Sequence, residues 1–175
     1  GEIVGLAGVD GNGQAELVEV LSGLKAPTAG SFEVVNSSFN VNHSALAFVP
    51  PDRTHVGLIP AFTLYENLAL HPALRRECKK FLSFDWKHAK IRTRELMEKF
   101  DVRAPQTQAQ SPESTPASQL SGGNQQKLII ARALSFPHEV VVAADPARGL
   151  DFAATQFVQE QLKSAARTGA ALLLM

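Results

Sequence analysis

Short apolar runs alternate along this chain with stretches in which apolar residues recur every three or four positions. The runs predict buried strands at residues 2–8, 31–35, 46–49, 139–144 and 171–175. The three- and four-residue spacing predicts amphipathic helices at residues 14–22, 87–100, 124–135 and 152–167, with a helical pattern from residue 64 onward. Strands that alternate with helices indicate an α/β fold with a mostly parallel sheet.

The predicted strands fall into two groups separated by a long helical region. Residues 64–137 form the predicted helical insertion, and residues 1–63 together with 138–175 form the predicted core. Within the insertion, residues 106–118 are rich in Gln, Ser, Thr and Pro and lack periodicity, which predicts an exposed loop. Because the sequence begins and stops on predicted strands, we expect a domain cut from a longer chain.

Composition and charge exclude several classes of partner. Seventeen basic residues balance seventeen acidic ones. The chain therefore has no excess of positive charge that would predict a nucleic-acid partner. The modest cluster of Arg75, Arg76, Lys79 and Lys80 is interpreted as a solvated helix face. The single cysteine, Cys78, excludes a disulfide framework. No apolar run approaches the roughly 20 residues that cross a bilayer, so we expect membrane association only through another protein.

A glycine-rich stretch follows the first predicted strand and opens the first predicted helix. It has the spacing of the phosphate loop G-x-x-x-x-G-K-[ST], in which amides cradle phosphates, the lysine binds the terminal phosphates and the hydroxyl holds Mg²⁺. Gln14 replaces the lysine, and Ala15 replaces the hydroxyl residue. The lost charge predicts phosphate binding weaker by about ten- to a hundredfold. The candidate residues are Gly8, Asp10, Gly11, Asn12, Gly13, Gln14 and Ala15.

Two other interpretations of this loop stay open. It is also consistent with a plain glycine turn that joins a strand to a helix. If the loop does bind phosphate, Asp10 either repels it or caps the loop. The same glycines half-match the dinucleotide fingerprint G-x-G-x-x-G, but Glu16 stands in place of the third glycine. That second match would indicate an oxidoreductase.

A second glycine motif, Leu120 to Lys127, reads LSGGNQQK at the mouth of the helix predicted at residues 124–135. A helix N-terminus presents backbone N–H groups and a partial positive charge, which suits a phosphate. Ser121 can cap the helix or donate its hydroxyl. The alternative is an ordinary capped helix after a tight loop.

This string resembles the signature motif of ABC-transporter nucleotide-binding domains, and the other motifs follow in that family's order along nearly the whole chain. The resemblance implies a P-loop NTPase (RecA-like) fold with a mostly parallel sheet and a helical ABC-specific subdomain. The chain is most similar to the second, degenerate nucleotide-binding domain of simple-sugar and nucleoside importers. The residues that carry this likeness are Asp10 to Gln14, the LSGGNQQK string, and Arg148 to Asp151.

The resemblance also implies which residues stand on the metal side of the site. The strand after the signature helix resembles the Walker B strand. One alignment places Ala144 at the metal-orienting Asp and Asp145 at the catalytic Glu, and the other places Asp145 at the metal Asp and Pro146 at the catalytic position. Pro51 falls where the Q-loop would bring a Gln or Glu. Ala15 likewise lacks the hydroxyl that would hold the metal, so we expect that this domain's own site does not hold Mg²⁺. Asp145 is then a degenerate catalytic residue.

The family pairs two such domains head to tail around ATP. The resemblance therefore implies that the signature contacts ATP held by a partner domain, with the D-loop residue Asp151 supporting the dimer. It further implies a partner domain in the same polypeptide, transmembrane permease subunits, indirectly a solute-binding protein, and a peripheral position on the cytoplasmic face of the inner membrane. The signature residues are Ser121, Gly122, Gly123, Asn124 and Gln125.

Further alternatives remain beside this hypothesis. The first is a competent ABC ATPase with unusual ligands, and the second is a non-catalytic interaction module that kept only the fold. The segment from Thr63 to Leu68 is implied to meet the permease, but it also fits an ordinary start of an amphipathic helix. Trp86 is interpreted as packing for the helical region.

Overall fold

The computed structural model describes residues 1–9, 11–31, 46–105 and 110–175. Among these residues, four parallel strands form one sheet in the order β1-β4-β3-β2. The strands are β1 (Ile3–Gly5), β2 (Leu46–Val49), β3 (Val140–Ala143) and β4 (Ala171–Leu174). The parallel sheet confirms the predicted α/β class, although β1 is shorter than predicted. The strand predicted at residues 31–35 lies outside the described residues, apart from Ser31.

Six α-helices accompany the sheet in the described part of the chain. They are α1 (Gln14–Leu21), α2 (Leu64–Ala69), α3 (Pro72–Glu77), α4 (Trp86–Lys99), α5 (Gly122–Leu134) and α6 (Phe152–Arg167). The bounds of α6 match the predicted helix, and Asp151 caps it by accepting from the Ala154 amide. The structure corrects the start of α5, which lies at Gly122 rather than Asn124 because the Ser121 hydroxyl caps it.

The core is centred on β3 and on α5, which packs against the sheet. Val141 and Ala143 are fully buried, as are Ile129 and Ile130 on α5. Burial of both faces explains why β3 reads as a continuous apolar run. A second group of buried side chains joins α2, α3 and α4, with Leu64, Leu68, Leu74 and Phe100 at its centre.

The segment before α5 differs from the predicted exposed loop. Two short 3-10 turns form here, Pro112–Ser114 and Ala117–Gln119, and the first packs against α2 and α4. Glu113 is fully buried and accepts from the Arg94 guanidinium at 2.7 Å, which holds the pKa of Glu113 down at about 2. The prediction was wrong here because this ion pair allows a polar sequence to be buried. Residues 106–109 of the predicted loop lie outside the described residues.

The basic cluster is solvated, as predicted, but only Arg75 and Arg76 lie on a helix, α3, because Lys79 and Lys80 follow its end. Cys78 is buried. Trp86 packs against Phe84 and Tyr65, with ring centroids 4.4 and 5.6 Å away. Within the described residues, no helix combines the length and apolar character needed to cross a bilayer.

Candidate functional site

The mouth of α5 is open to solvent and organised by its own side chains. The Ser121 hydroxyl accepts from the backbone amide and the side-chain amide of Asn124, at 3.4 and 3.0 Å. The Asn124 side-chain oxygen accepts from the Arg103 amide at 2.8 Å. Ser121 and Gly122 are exposed. The first-turn amides of this helix therefore face outward, where an anion could reach them.

The body of α5 is anchored by polar side chains on the following turn. Gln125 donates to the Ala117 carbonyl at 3.2 Å, and Gln126 donates to the Pro146 carbonyl at 2.8 Å. Lys127 binds the Asp101 carboxylate at 2.6 Å and lies over the Phe157 ring. These contacts fix the helix whose tip carries the signature. The structural role of Gln126, which is 2% exposed, was not predicted.

The phosphate loop is occupied by its own side chain. The Gln14 amide group donates to the Val9 carbonyl at 2.9 Å, and its oxygen accepts from the Asn12 amide at 3.0 Å. A methyl group added at Gly8 would collide with the same Gln14 group. A phosphate loop would offer the Asn12 backbone amide to a phosphate, but here this amide already donates a hydrogen bond within the loop. Asp10, a predicted loop residue, lies outside the described residues.

The other predicted loop residues hold the shape of the turn. Gly11 and Gly13 have φ angles of 87° and 92°, which residues with a side chain rarely adopt. Gly13 stands directly before α1 and Ala15 lies in its first turn. The glycine spacing of the phosphate loop therefore produces a tight strand-to-helix turn, as the sequence predicted.

A cavity of about 400 Å³ brings together the phosphate loop and the predicted metal-side residues. It is lined by Gly8, Gln14, Ala15, Pro51, Ala144, Asp145 and Arg148, among others. The residues identified from three separate motifs thus meet at one place, at the carboxyl ends of the strands. Ligands of parallel α/β sheets bind at this edge.

Among the described residues, the lining of this cavity offers a single carboxylate, that of Asp145. Mg²⁺ requires oxygen ligands, and Ala15, Ala144 and Pro51 have none in their side chains. Asp145 is exposed and adopts a φ of 43°, in the left-handed region. Across the described ranges, no three side chains of His, Cys, Asp or Glu are grouped so that they could hold a metal ion.

Arg53 connects this edge of the sheet with the mouth of α5. Its guanidinium donates to the Arg148 carbonyl at 2.6 Å. The same group lies close to two glycines, because a Cβ atom added to Gly122 or Gly149 would stand 3.6 or 3.7 Å from it. Asp52 and Arg53 directly follow the Q-loop position, as in the importers that the chain resembles, but the local sequence does not predict these contacts of Arg53.

The turn that carries Arg53 is itself capped. Asp52 accepts from the Thr54 and His55 amides at 2.9 and 3.0 Å and from the His55 ring at 2.8 Å. These bonds hold the pKa of Asp52 well below its usual range. The cap fixes the start of the π-helical turn Arg53–Gly57.

Asp151, the predicted D-loop residue, lies beside the signature. Its carboxylate accepts from the Ala154 amide at 2.8 Å and caps α6. A Cβ placed on Gly123 would lie 3.4 Å from the Ala154 methyl. The amino ends of α5 and α6 are therefore neighbours, and Asp151 acts within this chain as a helix cap.

Known proteins match this chain over most or all of its length. The family described as "ABC transporter" matches residues 1–148. The chain is 38% identical to the nucleoside import ATP-binding protein NupA of Lactococcus lactis subsp. cremoris (strain MG1363) and 35% identical to the guanosine import ATP-binding protein NupO of Bacillus subtilis (strain 168). Both alignments cover 100% of this chain but only 35% and 34% of the relatives. The chain thus spans about a third of the length of the curated relatives it matches.

Structural comparison agrees with the sequence comparison. The dimeric ATP-binding cassette MJ0796, in a post-hydrolysis state with ADP and phosphate, superposes with a TM-score of 0.70 at 22% identity, covering 98% of this chain and 72% of that one. The fold is therefore that of the P-loop ABC ATPases. Together with the family match over residues 1–148, this shows that the chain belongs to the ABC transporter family.

Proposed function

We propose that this chain is an ATP-binding domain of an importer for nucleosides or sugars, most like the second, degenerate domain of such proteins. Its signature completes an ATP site whose phosphate loop belongs to a partner domain. Its own loop binds nucleotide weakly. The relatives named for nucleoside and guanosine import support the solute class, and the neighbour with ADP and phosphate supports the nucleotide.

The observation that carries the proposal is the contrast between the two glycine motifs. The mouth of α5 is open to solvent, and Ser121 and Asn124 form its cap. The phosphate loop, in contrast, is filled by Gln14. A phosphate at the α5 mouth would gain backbone hydrogen bonds and the favourable end of the helix dipole.

The roles of the signature residues follow from their positions. Ser121, Gly122 and Gly123 would contact the terminal phosphate of the partner's ATP. Asn124 holds the Ser121 hydroxyl, and Gln125 holds the turn before the helix. Asp151, next to this mouth, would support the contact with the partner domain.

The degenerate phosphate loop and its surroundings would bind nucleotide but would not catalyse its hydrolysis. The phosphate loop lacks a lysine and a hydroxyl, and its surroundings do not fit Mg²⁺. Asp145 is the carboxylate that lines the cavity, at the degenerate catalytic position. Phosphoryl transfer depends mainly on positioning and charge neutralisation, so we infer that this chain does not hydrolyse ATP alone.

The assembly implied by the family completes the proposal. Residues 1–63 and 138–175 form the RecA-like core, and residues 64–137 form the helical signature subdomain. The partners are a second nucleotide-binding domain in the same polypeptide, permease subunits and, indirectly, a solute-binding protein. The domain then lies on the cytoplasmic face of the inner membrane, with the start of α2 towards the permease.

Substitution at the α5 mouth tests the proposal in the reconstituted transporter. Ser121→Arg places a bulky side chain where the phosphate would lie, and we expect ATPase and transport activity to fall by roughly a hundredfold. Ser118→Arg is the matched control, because Ser118 is exposed three residues earlier and outside the signature. Equal activity of the two variants would contradict the proposal and favour an interaction module. Steady phosphate release by the isolated domain would instead indicate a competent ATPase.

A further inference from the structure

The segment between α3 and α4 places two large apolar side chains at the tip of a tight turn. Lys79 pairs with Phe84 in an antiparallel bridge, and the Lys80 amide donates to the Ser83 carbonyl at 2.9 Å. Phe81 and Leu82 stand between these residues, 96% and 90% exposed. Such turns usually carry Gly, Asn, Asp or Pro, so this tip requires another explanation.

The turn is held firmly at its base. The Asp85 amide donates to the Cys78 carbonyl at 2.7 Å, and the Asp85 carboxylate pairs with Lys80 at 2.8 Å. Phe84 packs against Trp86, which is itself 47% exposed. Because hydrogen bonds and an ion pair fix the base, Phe81 and Leu82 project into solvent without any rearrangement of the turn. We define residues 79–84 as the apolar hairpin.

The surroundings of the apolar hairpin are basic. Lys80 is paired with Asp85, and Glu77 is paired with Arg92. Four exposed cations lie within six residues of Phe81 or Leu82 along the chain and form no ion pair with any described residue: Arg75, Arg76, Lys79 and Lys87. An apolar tip flanked by cations along the chain, with a tryptophan close by in sequence, suits the interface of an anionic membrane.

We propose that Phe81 and Leu82 insert among the headgroups of an anionic lipid bilayer, while Arg75, Arg76 and Lys79 contact lipid phosphates. Charge complementarity favours this occupant over an apolar pocket on a protein, which would leave the flanking cations unpaired. The inference goes beyond the proposed function and needs no nucleotide, so its failure would leave that function unaffected.

Vesicle binding of the full-length protein tests the proposal. Vesicles of phosphatidylcholine are compared with a three-to-one mixture of phosphatidylcholine and phosphatidylglycerol. We expect sedimentation with the anionic vesicles only, weakened by added salt. The double variant Phe81→Ser, Leu82→Ser should lose about tenfold or more in affinity, since each exposed apolar side chain would otherwise be buried. Leu24→Ser, at a residue 73% exposed elsewhere, should change affinity less than twofold.

A charge variant provides a second, independent readout. Lys79→Glu should weaken binding to the anionic vesicles by roughly fivefold or more, because each basic residue near such a surface contributes about 1 kcal/mol. Lys163→Glu, at an exposed lysine on α6, is the matched control and should have a smaller effect. Equal binding of the wild type and the tip variant, or no binding to either vesicle, would overturn the proposal. Loss of permease assembly without loss of vesicle binding would also overturn it and assign the tip to a protein.

Discussion

The guanidinium of Arg53 donates to the carbonyl of Arg148 at 2.6 Å and thereby joins the turn after β2 to the turn after β3. The same guanidinium lies beside Gly122, at the mouth of α5. One side chain thus links the predicted Q-loop region to the predicted D-loop region and lies next to the signature motif. This arrangement predicts that Arg53 positions the signature for its partner.

Replacing Arg53 by Ala should lower ATPase turnover in the assembled transporter by about tenfold with little change in KM. The reason is that the Arg148 carbonyl loses a charged donor, a loss of roughly 1.5–3 kcal/mol that loosens the turn beside the signature. Arg53→Lys should recover only part of the loss because an ammonium cannot span both neighbours. Steady-state kinetics give the readout, with Arg167→Ala on the exposed end of α6 as the control. Full recovery by Lys would contradict this role.

Gln14→Lys should raise the affinity of this domain's own loop for ATP by about tenfold, because it restores a charge and removes the group that fills the loop. Titration with a fluorescent ATP analogue measures the change. Gln119→Lys adds the same charge at an exposed position before α5 and should have no comparable effect. If the two variants bind equally, Gln14 does not limit the loop.

Gly57→Ala should destabilise the protein by about 1–3 kcal/mol. A Cβ at residue 57 would lie 2.6 Å from the Ile129 Cδ1 atom, 3.2 Å from the Asp52 carbonyl oxygen and 3.3 Å from Pro50. Ile129→Val removes the nearest of these atoms, so the double variant should be more stable than the sum of the single effects indicates. Urea unfolding of all four proteins measures the coupling, and strict additivity would argue against the contact.

Stability should fall as the pH falls from about 6.5 to about 4. Burial, followed by the neighbouring charges of Arg132, Arg76 and His138, lowers the pKa of His71 from 6.5 to about 4. The unfolded chain therefore binds a proton in this range that the folded chain excludes, and stability is retained only at higher pH. The neutral ring also accepts from the Ala73 amide at 3.2 Å and stacks on Phe136.

His71→Asn separates this effect from the titration of carboxylates, since asparagine keeps the helix cap but does not titrate. The loss of unfolding free energy between pH 7 and pH 5 should be smaller in the variant by about 2 kcal/mol. Urea unfolding at the two pH values provides the comparison. Parallel losses in both proteins would exclude His71 as the cause.

The spacing of apolar residues predicted the helices and strands whose formation depends on nearby residues. The spacing of apolar residues predicted α6 to the residue and placed β2 correctly, because both elements bury one regular face. The signature string indicated the mouth of α5, and the glycines predicted the tight turn before α1. The sequence indicated that Ser121 can cap this helix, but the predicted start of α5 lies two residues too late.

Contacts between distant residues could not be predicted in the same way. Arg53 and Arg148 are far apart along the chain, and nothing in either local sequence indicates their pairing. The burial of Glu113 depends on Arg94, which belongs to another helix. The inward fold of Gln14 follows from the shape of the loop, which residue identities alone do not determine.

The side chain that fills the phosphate loop gives this turn hydrogen bonds that require no ligand. In a pair of domains built as proposed, this half would therefore respond to cellular energy status only through the nucleotide in its neighbour. In such a transporter the partner domain would then sense ATP, while this domain would keep a fixed structure.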